Sequence, residues 1–429
     1  MINSVLETVL KQRLIPQPKR IDFRGGECLI AGGVSVEIKT AEDDEDFPGM
    51  VSDLFREYWN VKPEIRHAHS VSAENFLEDQ YEVRVSRERI TLIAHCEAGL
   101  ALAMKTLRQL AEPIRGTMTT EGHILQPCRI QDWADSEFRS ARLKITPETT
   151  LAEAEKKIRL AGDWKFRYVI VESMGVFPFK SHPEFGWKDQ MKSASFFRTL
   201  LDTADDCGVS LIPAFDIFHK ASMTDAGTGK HAVLNFRREF APLFEPDGES
   251  WCMSNPCARE IIADLVSELH EFFERPDYFH IGRIGKNEFA RCRTCCLESE
   301  EQLLLKQILE LYKAFGEERP RFLVGKCDSE SGKEKITLSL PADLLLELDA
   351  GDGIPETFDS VIDLTKRRTD LPETAGGVTV SLDISPESVA EAAEIAWNGG
   401  KPEKIACSAV AETFLRIIPE MDPQHYSEL

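Results

Sequence analysis

Proton-handling side chains stand at a few points where an apolar run gives way to a polar segment. Glu172 ends Tyr168-Val169-Ile170-Val171, and Asp216 ends the run from Val209, with His219 three residues on. His280 lies inside Tyr278-Phe279-His280-Ile281-Gly282, and Glu288 follows shortly. Carboxyl and imidazole groups in such places can move protons or hold hydroxyl groups. Each also has a plainer reading. Asp216 suits the cap of the next segment, His219 an exposed loop, and Glu288 the first turn of a helix, where an acid complements the dipole. His280 reads as a buried, hydrogen-bonded strand residue rather than a catalyst, and Glu172 either faces a cleft or is held by a basic neighbour. Cys292, Cys295 and Cys296 have part of a zinc spacing, but structural sites want four ligands. Cys252 and Cys257 are too irregularly spaced to complete one, so free thiols and no metal are expected. No Gly-rich phosphate loop occurs: Gly25-Gly26, Gly32-Gly33 and Gly399-Gly400 are isolated turn pairs. No cofactor is expected.

The elements that must position these residues fall into two sets. Val34–Ile38 and Tyr81–Val85 alternate apolar and polar residues, as half-buried strands do. Phe47 to Trp59, and Leu100, Ala103, Met104, Leu107 and Leu110 after Gly99, show helical spacing. Residues 1–125 therefore read as a small α+β domain that opens on strands and turns. From Arg139 the pattern changes to strands alternating with amphipathic helices. The strands are Ala141–Ile145, Tyr168–Glu172, Val209–Asp216, Tyr278–Gly282 and Arg321–Cys327; the helices are Leu151–Ala161, Phe196–Asp206, Ile261–Phe273 and Glu301–Phe315. Further apolar runs lie at Ile336–Leu340, Val361–Leu364 and Val378–Leu382. This many βα units over residues 126–429 favours an α/β fold of the (β/α)8 TIM-barrel type over an open sheet. In such barrels chemistry gathers at the C-terminal strand ends, which brings Glu172, Asp216, His219 and the segment after His280 to one mouth.

With 73 acidic and 51 basic residues the 429-residue chain carries a formal charge of −22. That charge repels phosphate backbones and anionic lipid heads, so neither nucleic acid nor membrane is an expected partner. A neutral ligand such as a sugar remains compatible; the composition leaves the oligomeric state open. The N-terminus lacks a basic start followed by an apolar run, and the 11 cysteines are an odd number, so a cytoplasmic, reducing setting is expected.

Several ordered segments resemble family 20 glycoside hydrolases, the β-N-acetylhexosaminidases, in a bacterial branch. They are Leu14-Ile15-Pro16-Gln17-Pro18, Gly99 to Leu110, Ile130-Gln131-Asp132-Trp133, Val171-Glu172-Ser173 with Phe177-Pro178-Phe179, Ile212-Pro213-Ala214-Phe215-Asp216, Ser254-Asn255-Pro256, Tyr278 to Gly282, Cys292-Arg293-Thr294-Cys295 and Ala393 to Asn398. The resemblance implies a non-catalytic α+β domain followed by a catalytic barrel. It also implies an adjacent Asp-Glu pair one residue beyond His-Ile-Gly: the Glu protonates the leaving oxygen and the Asp orients the substrate's acetamido nucleophile, an exception to the usual two-carboxylate scheme. Aligned without a gap to Cys292, those positions hold Ile284 and Gly285, which carry neither proton nor charge. Glu288 is a displaced acid only if an insertion and a compensating deletion are allowed, and Glu172 is the other weak candidate. The family's Leu-Asp-Leu-Lys near the first strand is Ala141-Arg142-Leu143-Lys144 here, and its Gly-His after Asp216 is His219-Lys220. Sugar contacts implied by the resemblance fall on Asp216, His219, His280 and Trp397, the last also readable as a core tryptophan. The expectation is a hexosaminidase-like protein, catalytically impaired and retaining a carbohydrate cleft. An active glycosidase and a non-catalytic, partner-binding scaffold are the alternatives.

Overall fold

The computed structural model of the protein describes residues 4–42, 44–113, 122–173, 175–186, 189–218, 238–246, 248, 250–284, 291–326, 341, 343–349, 358–363 and 377–399. It forms two compact units. The first comprises Met1–Glu137, Asp163–Lys165 and Ser385–Leu429; the second comprises Phe138–Gly162 and Phe166–Ile384.

The first unit opens on a helix, α1 (Ser4–Gln12), where strands and turns are the expectation from sequence. Nine strands follow: β1 (Arg20–Phe23), β2 (Cys28–Ile30), β3 (Ser35–Thr40), β4 (Glu64–His69), β5 (Tyr81–Val85), β6 (Arg89–Ala94), β7 (Glu112–Pro113), β8 (His123–Leu125) and β9 (Cys128–Asp132). Six of them make one mixed sheet in the order β1-β9-β5-β6-β3-β4, and β2-β8-β7 make a smaller one. Because β9 pairs with both β1 and β5, the unit extends to Glu137 instead of ending at residue 125. Two helices, α2 (Phe47–Trp59) and α3 (Glu97–Leu110), pack against the large sheet and each other. On α2 the four-residue spacing of Phe47, Val51, Phe55 and Trp59 makes one buried stripe.

The core of this unit is closed by residues from far along the chain. Asp132 is fully buried; its Oδ2 accepts from Tyr81 Oη (2.6 Å) and Lys165 Nζ (2.9 Å), and its Oδ1 from Lys19 N (3.1 Å) and Trp397 Nε1 (2.8 Å). Four donors satisfy a carboxylate that burial would otherwise penalise heavily.

The second unit is a closed barrel of eight strands: β10 (Phe138–Lys144), β11 (Tyr168–Glu172), β12 (Ser210–Ala214), β13 (Tyr278–Ile284), β14 (Arg321–Lys326), β15 (Leu345–Asp349), β16 (Phe358–Asp363) and β17 (Gly377–Ser381). Helices α4 (Leu151–Asp163), α5 (Ala194–Asp206), α6 (Pro256–Phe272) and α7 (Glu300–Phe315) alternate with the first five strands. Their starts are written in the sequence: Ser193 and Asn255 accept from the first-turn amides of α5 and α6, and Ser299 with Gln302 forms a capping box on α7. The barrel departs from an all-parallel (β/α)8 design at one strand. β16 runs antiparallel to both neighbours, and β17 then closes parallel onto β10. The fifth barrel strand is followed by β15, a strand absent from the sequence reading, while Ile336–Leu340 lies outside the described residues.

Inside, side chains stack in layers drawn from alternate strand positions. Phe138, Tyr168 and Tyr278 form an aromatic floor with ring centroids 4.9–5.4 Å apart. Ile170, Ile212, Leu323 and Leu345 belong to the same buried cluster. Two residues on from Ser140, Ile170 and Leu345 stand Arg142, Glu172 and Glu347, and the apolar filling gives way to charge.

Candidate functional site

Glu347 is the centre of that charged layer. It sits near the C-terminal end of β15 with no solvent exposure, in the run Leu344-Leu345-Leu346-Glu347-Leu348. Its Oε2 accepts from Arg142 Nη2 at 2.5 Å, His280 Nε2 at 3.1 Å and Arg283 Nη2 at 3.3 Å. Neither β10 nor β13 is a sheet neighbour of β15, so these bonds cross the lumen. Arg142 also carries its Nε to 3.0 Å from Glu172 Oε1. Burial pushes the Glu347 carboxyl up, but the Arg142 charge, the His280 hydrogen bond and the Arg283 charge outweigh it and hold it well below the usual carboxylate range.

His280 is fixed at both ring nitrogens. Its Nδ1 accepts from the Gly282 backbone N–H (3.1 Å), which leaves Nε2 as the donor to Glu347. The β-bulge between His280 and Arg283 on β13 makes this possible: Gly282 adopts φ +100°, and the shift aims Arg283 back at Glu347. A side chain at Gly282 would meet Asp216 Oδ1 at 2.4 Å, and one at Gly325 would meet Arg283 Cγ at 2.3 Å. Both close approaches therefore need glycine.

The residues singled out from sequence divide sharply. Glu172, Asp216 and His280 come together at one end of the barrel strands. Asp216 is half-buried, and its Oδ1 accepts from Phe218 N at 2.9 Å, so it caps the turn that follows β12. His280 is buried and hydrogen-bonded. Ile284 ends β13 with its backbone in register with Lys326. Gly285, Glu288 and His219 lie outside the described residues. Trp397 is not at the mouth: it is fully buried on α8 (Pro386–Asn398), in the first unit's core, with its indole on Asp132. A ring with no open face cannot stack on a sugar.

Two polar residues of this layer, Arg283 and Glu347, have no place among the sequence expectations, and Arg142 stands there only as the residue in place of the family's Asp. The signal for Glu347 was an acid inside a run of leucines, where an unpaired charge would be too costly to bury. Spacing along the chain also leaves the neighbours of the cysteine pair hidden. Cys252 Sγ lies 3.8 Å from both Cys292 Sγ and Cys295 Sγ, and Glu245 joins them, whereas Cys257 and Cys296 are exposed. Chain folding brings Cys252 to the pair across 40 residues that spacing cannot see.

Among the described residues no helix is long and apolar enough to cross a membrane. No curated protein matches the chain. Residues 11–133 match the family model of glycosyl hydrolase family 20, domain 2. Solved structures with the same fold include a chitobiase from Flavobacterium johnsoniae, 14% identical over 95% of this chain and 73% of its own, with a TM-score of 0.69. The β-N-acetylhexosaminidase of Streptomyces coelicolor A3(2) is 14% identical, covering 97% of this chain and 98% of its own, TM-score 0.67. That of Bacteroides fragilis is 16% identical over 94% of each chain, TM-score 0.64. Residues 11–133 thus match domain 2 of glycosyl hydrolase family 20, and the chain shares the fold of bacterial β-N-acetylhexosaminidases of that family.

Proposed function

We propose that this chain binds a small neutral carbohydrate of the N-acetylhexosamine class in its barrel mouth without hydrolysing it. The observation that carries this reading is the state of Glu347. A general acid must hold its proton near neutral pH until the leaving group takes it, which calls for a raised carboxyl pKa. Among the described residues the one fully buried acid in the mouth is instead locked as a carboxylate by two guanidinium groups and an imidazole. Glu172 is committed to Arg142, and Asp216 to the Phe218 amide. With Ile284 and Gly285 aligned to the family's Asp-Glu positions, substrate-assisted hydrolysis lacks both its acid and its orienting partner. General acid catalysis is worth roughly 10²–10⁴-fold, so turnover by this route falls to near background.

The binding half of the reading rests on groups that keep part of their surface open. Arg283, Glu172 and Asp216 are only partly buried. Donors and acceptors of this kind suit sugar hydroxyls, whereas the chain's charge of −22 disfavours nucleic acid and anionic membranes. The odd number of cysteines, 11 in all, favours a reducing, cytoplasmic setting.

A chromogenic N-acetylglucosaminide assay and calorimetry with N-acetylglucosamine test both halves. The expected result is saturable binding with no turnover above a heat-inactivated control. Turnover that disappears in Glu288→Gln or Glu172→Gln would establish an active hydrolase instead. Absence of both binding and turnover would leave the scaffold reading.

A further inference from the structure

Glu245, Cys252, Cys292 and Cys295 bring one carboxylate oxygen and three sulfurs within 4.8 Å of one another, on the segments before α6 and before α7. We propose that these four residues form a structural zinc site that ties the two segments together.

The geometry is that of a tetrahedral thiolate centre. Zinc–sulfur bonds of about 2.3 Å at tetrahedral angles put the sulfurs about 3.8 Å apart. Cys252 stands 3.8 Å from each of the other two, far beyond disulfide distance. Cys292 and Cys295 have the two-residue spacing common in zinc sites, and the Cys295 N–H donates to Cys292 Sγ at 3.2 Å. That backbone bond offsets charge on a thiolate. Ser254 Oγ, 3.1 Å from Cys295 Sγ, is placed to do the same for the second sulfur.

Glu245 supplies an independent indication. It is 2% exposed, and its Oε2 is held by the backbone N–H groups of Arg291 (2.9 Å) and Cys292 (2.5 Å). Its other oxygen, Oε1, is buried with no hydrogen-bond partner among the described residues. A carboxylate oriented through one oxygen while the other faces a group of thiols is the arrangement outer contacts give a metal ligand. Three soft sulfurs and one carboxylate in a closed, four-ligand set suit zinc better than calcium or magnesium, which take oxygen ligands. Binding displaces three thiol protons, so affinity rises with pH.

Metal analysis of the full chain purified under reducing conditions, and Co²⁺ titration of chelator-treated protein, test the site. Expected are stoichiometric zinc and, with Co²⁺, intense visible bands of tetrahedral cobalt plus thiolate-to-metal absorption. Cys292→Ser and Cys295→Ser should abolish these signals, while Cys257→Ser and Cys296→Ser leave them intact. Purified protein without zinc that also gives no tetrahedral cobalt spectrum would overturn the proposal. Metal retained in the Cys292→Ser/Cys295→Ser double variant would also overturn it. If those variants fail to fold, the cobalt titration of the unaltered chain still decides.

Discussion

At the scale of single residues, Glu347 shows how charge can be buried in a barrel lumen without becoming a proton donor. Two guanidiniums and an imidazole converge on one oxygen, so the carboxylate is a strut between β10, β13 and β15. Removing its charge leaves Arg142 and Arg283 with less compensation. Breaking a buried pair typically costs about 3–5 kcal/mol, and Arg142 keeps Glu172, so Glu347→Gln should lose about 3 kcal/mol at pH 7 in denaturant unfolding. The pH dependence has a definite sign. Because the folded carboxyl titrates well below its usual value, the advantage over Glu347→Gln is complete above about pH 4.5 and shrinks as pH falls through the depressed value. Paired unfolding curves at pH 7 and pH 3.5 check it; a gap that stays constant contradicts the assignment. The sequence did show the mouth carboxylates Glu172 and Asp216, because acids that end apolar strands stand out. It could not show the pairing of Glu347, whose partner Arg142 lies 205 residues away in a strand whose other features look apolar.

At the scale of elements, the first five barrel strands and the four helices among them were legible to within a few residues, because each pairs an apolar run with a cap such as Ser193, Asn255 or Ser299. β15 was not legible: leucines flanking a glutamate read equally as a helix or a strand. Nor was the reversal of β16 visible, since a strand's direction leaves no mark in its own residues. The bulge on β13 is the element most exposed to mutation. Gly282→Ala would place a methyl group against Asp216 Oδ1 at a backbone φ of +100°. The expected loss is about 2–4 kcal/mol, combining strain with displacement of Asp216 and His280. Thermal unfolding should register it as a lowered Tm, whereas Gly32→Ala, with no atom within 4 Å and no positive φ, should lose less.

At the scale of the whole molecule, the two units are interleaved along the chain: α8 follows every barrel strand in sequence yet belongs to the first unit. Its Glu394 accepts from the Gln17 backbone N–H at 3.0 and 2.7 Å. Burial pushes this carboxyl up to about 7, against the opposing effects of the Gln17 amide and the Lys165 charge. The raised value means the folded chain holds a proton that the unfolded chain releases first. The associated stability is therefore present below about pH 4.5 and lost as pH rises through about 7. At 1.36 kcal/mol for each pKa unit, reduced for a half-buried site, Glu394→Gln should gain about 1–3 kcal/mol on the unaltered chain between pH 4.5 and 8. Equilibrium unfolding across that range measures it; parallel curves would refute it. Trp397 on the same helix has a consequence for synthesis. As the ribosome extends the chain, the domain 2 segment emerges first, but its Asp132 must wait for Lys165 and then for Trp397, until the whole barrel has been made. The nascent first unit thus carries an incompletely satisfied acid while the barrel strands are made, and its last donor arrives with α8.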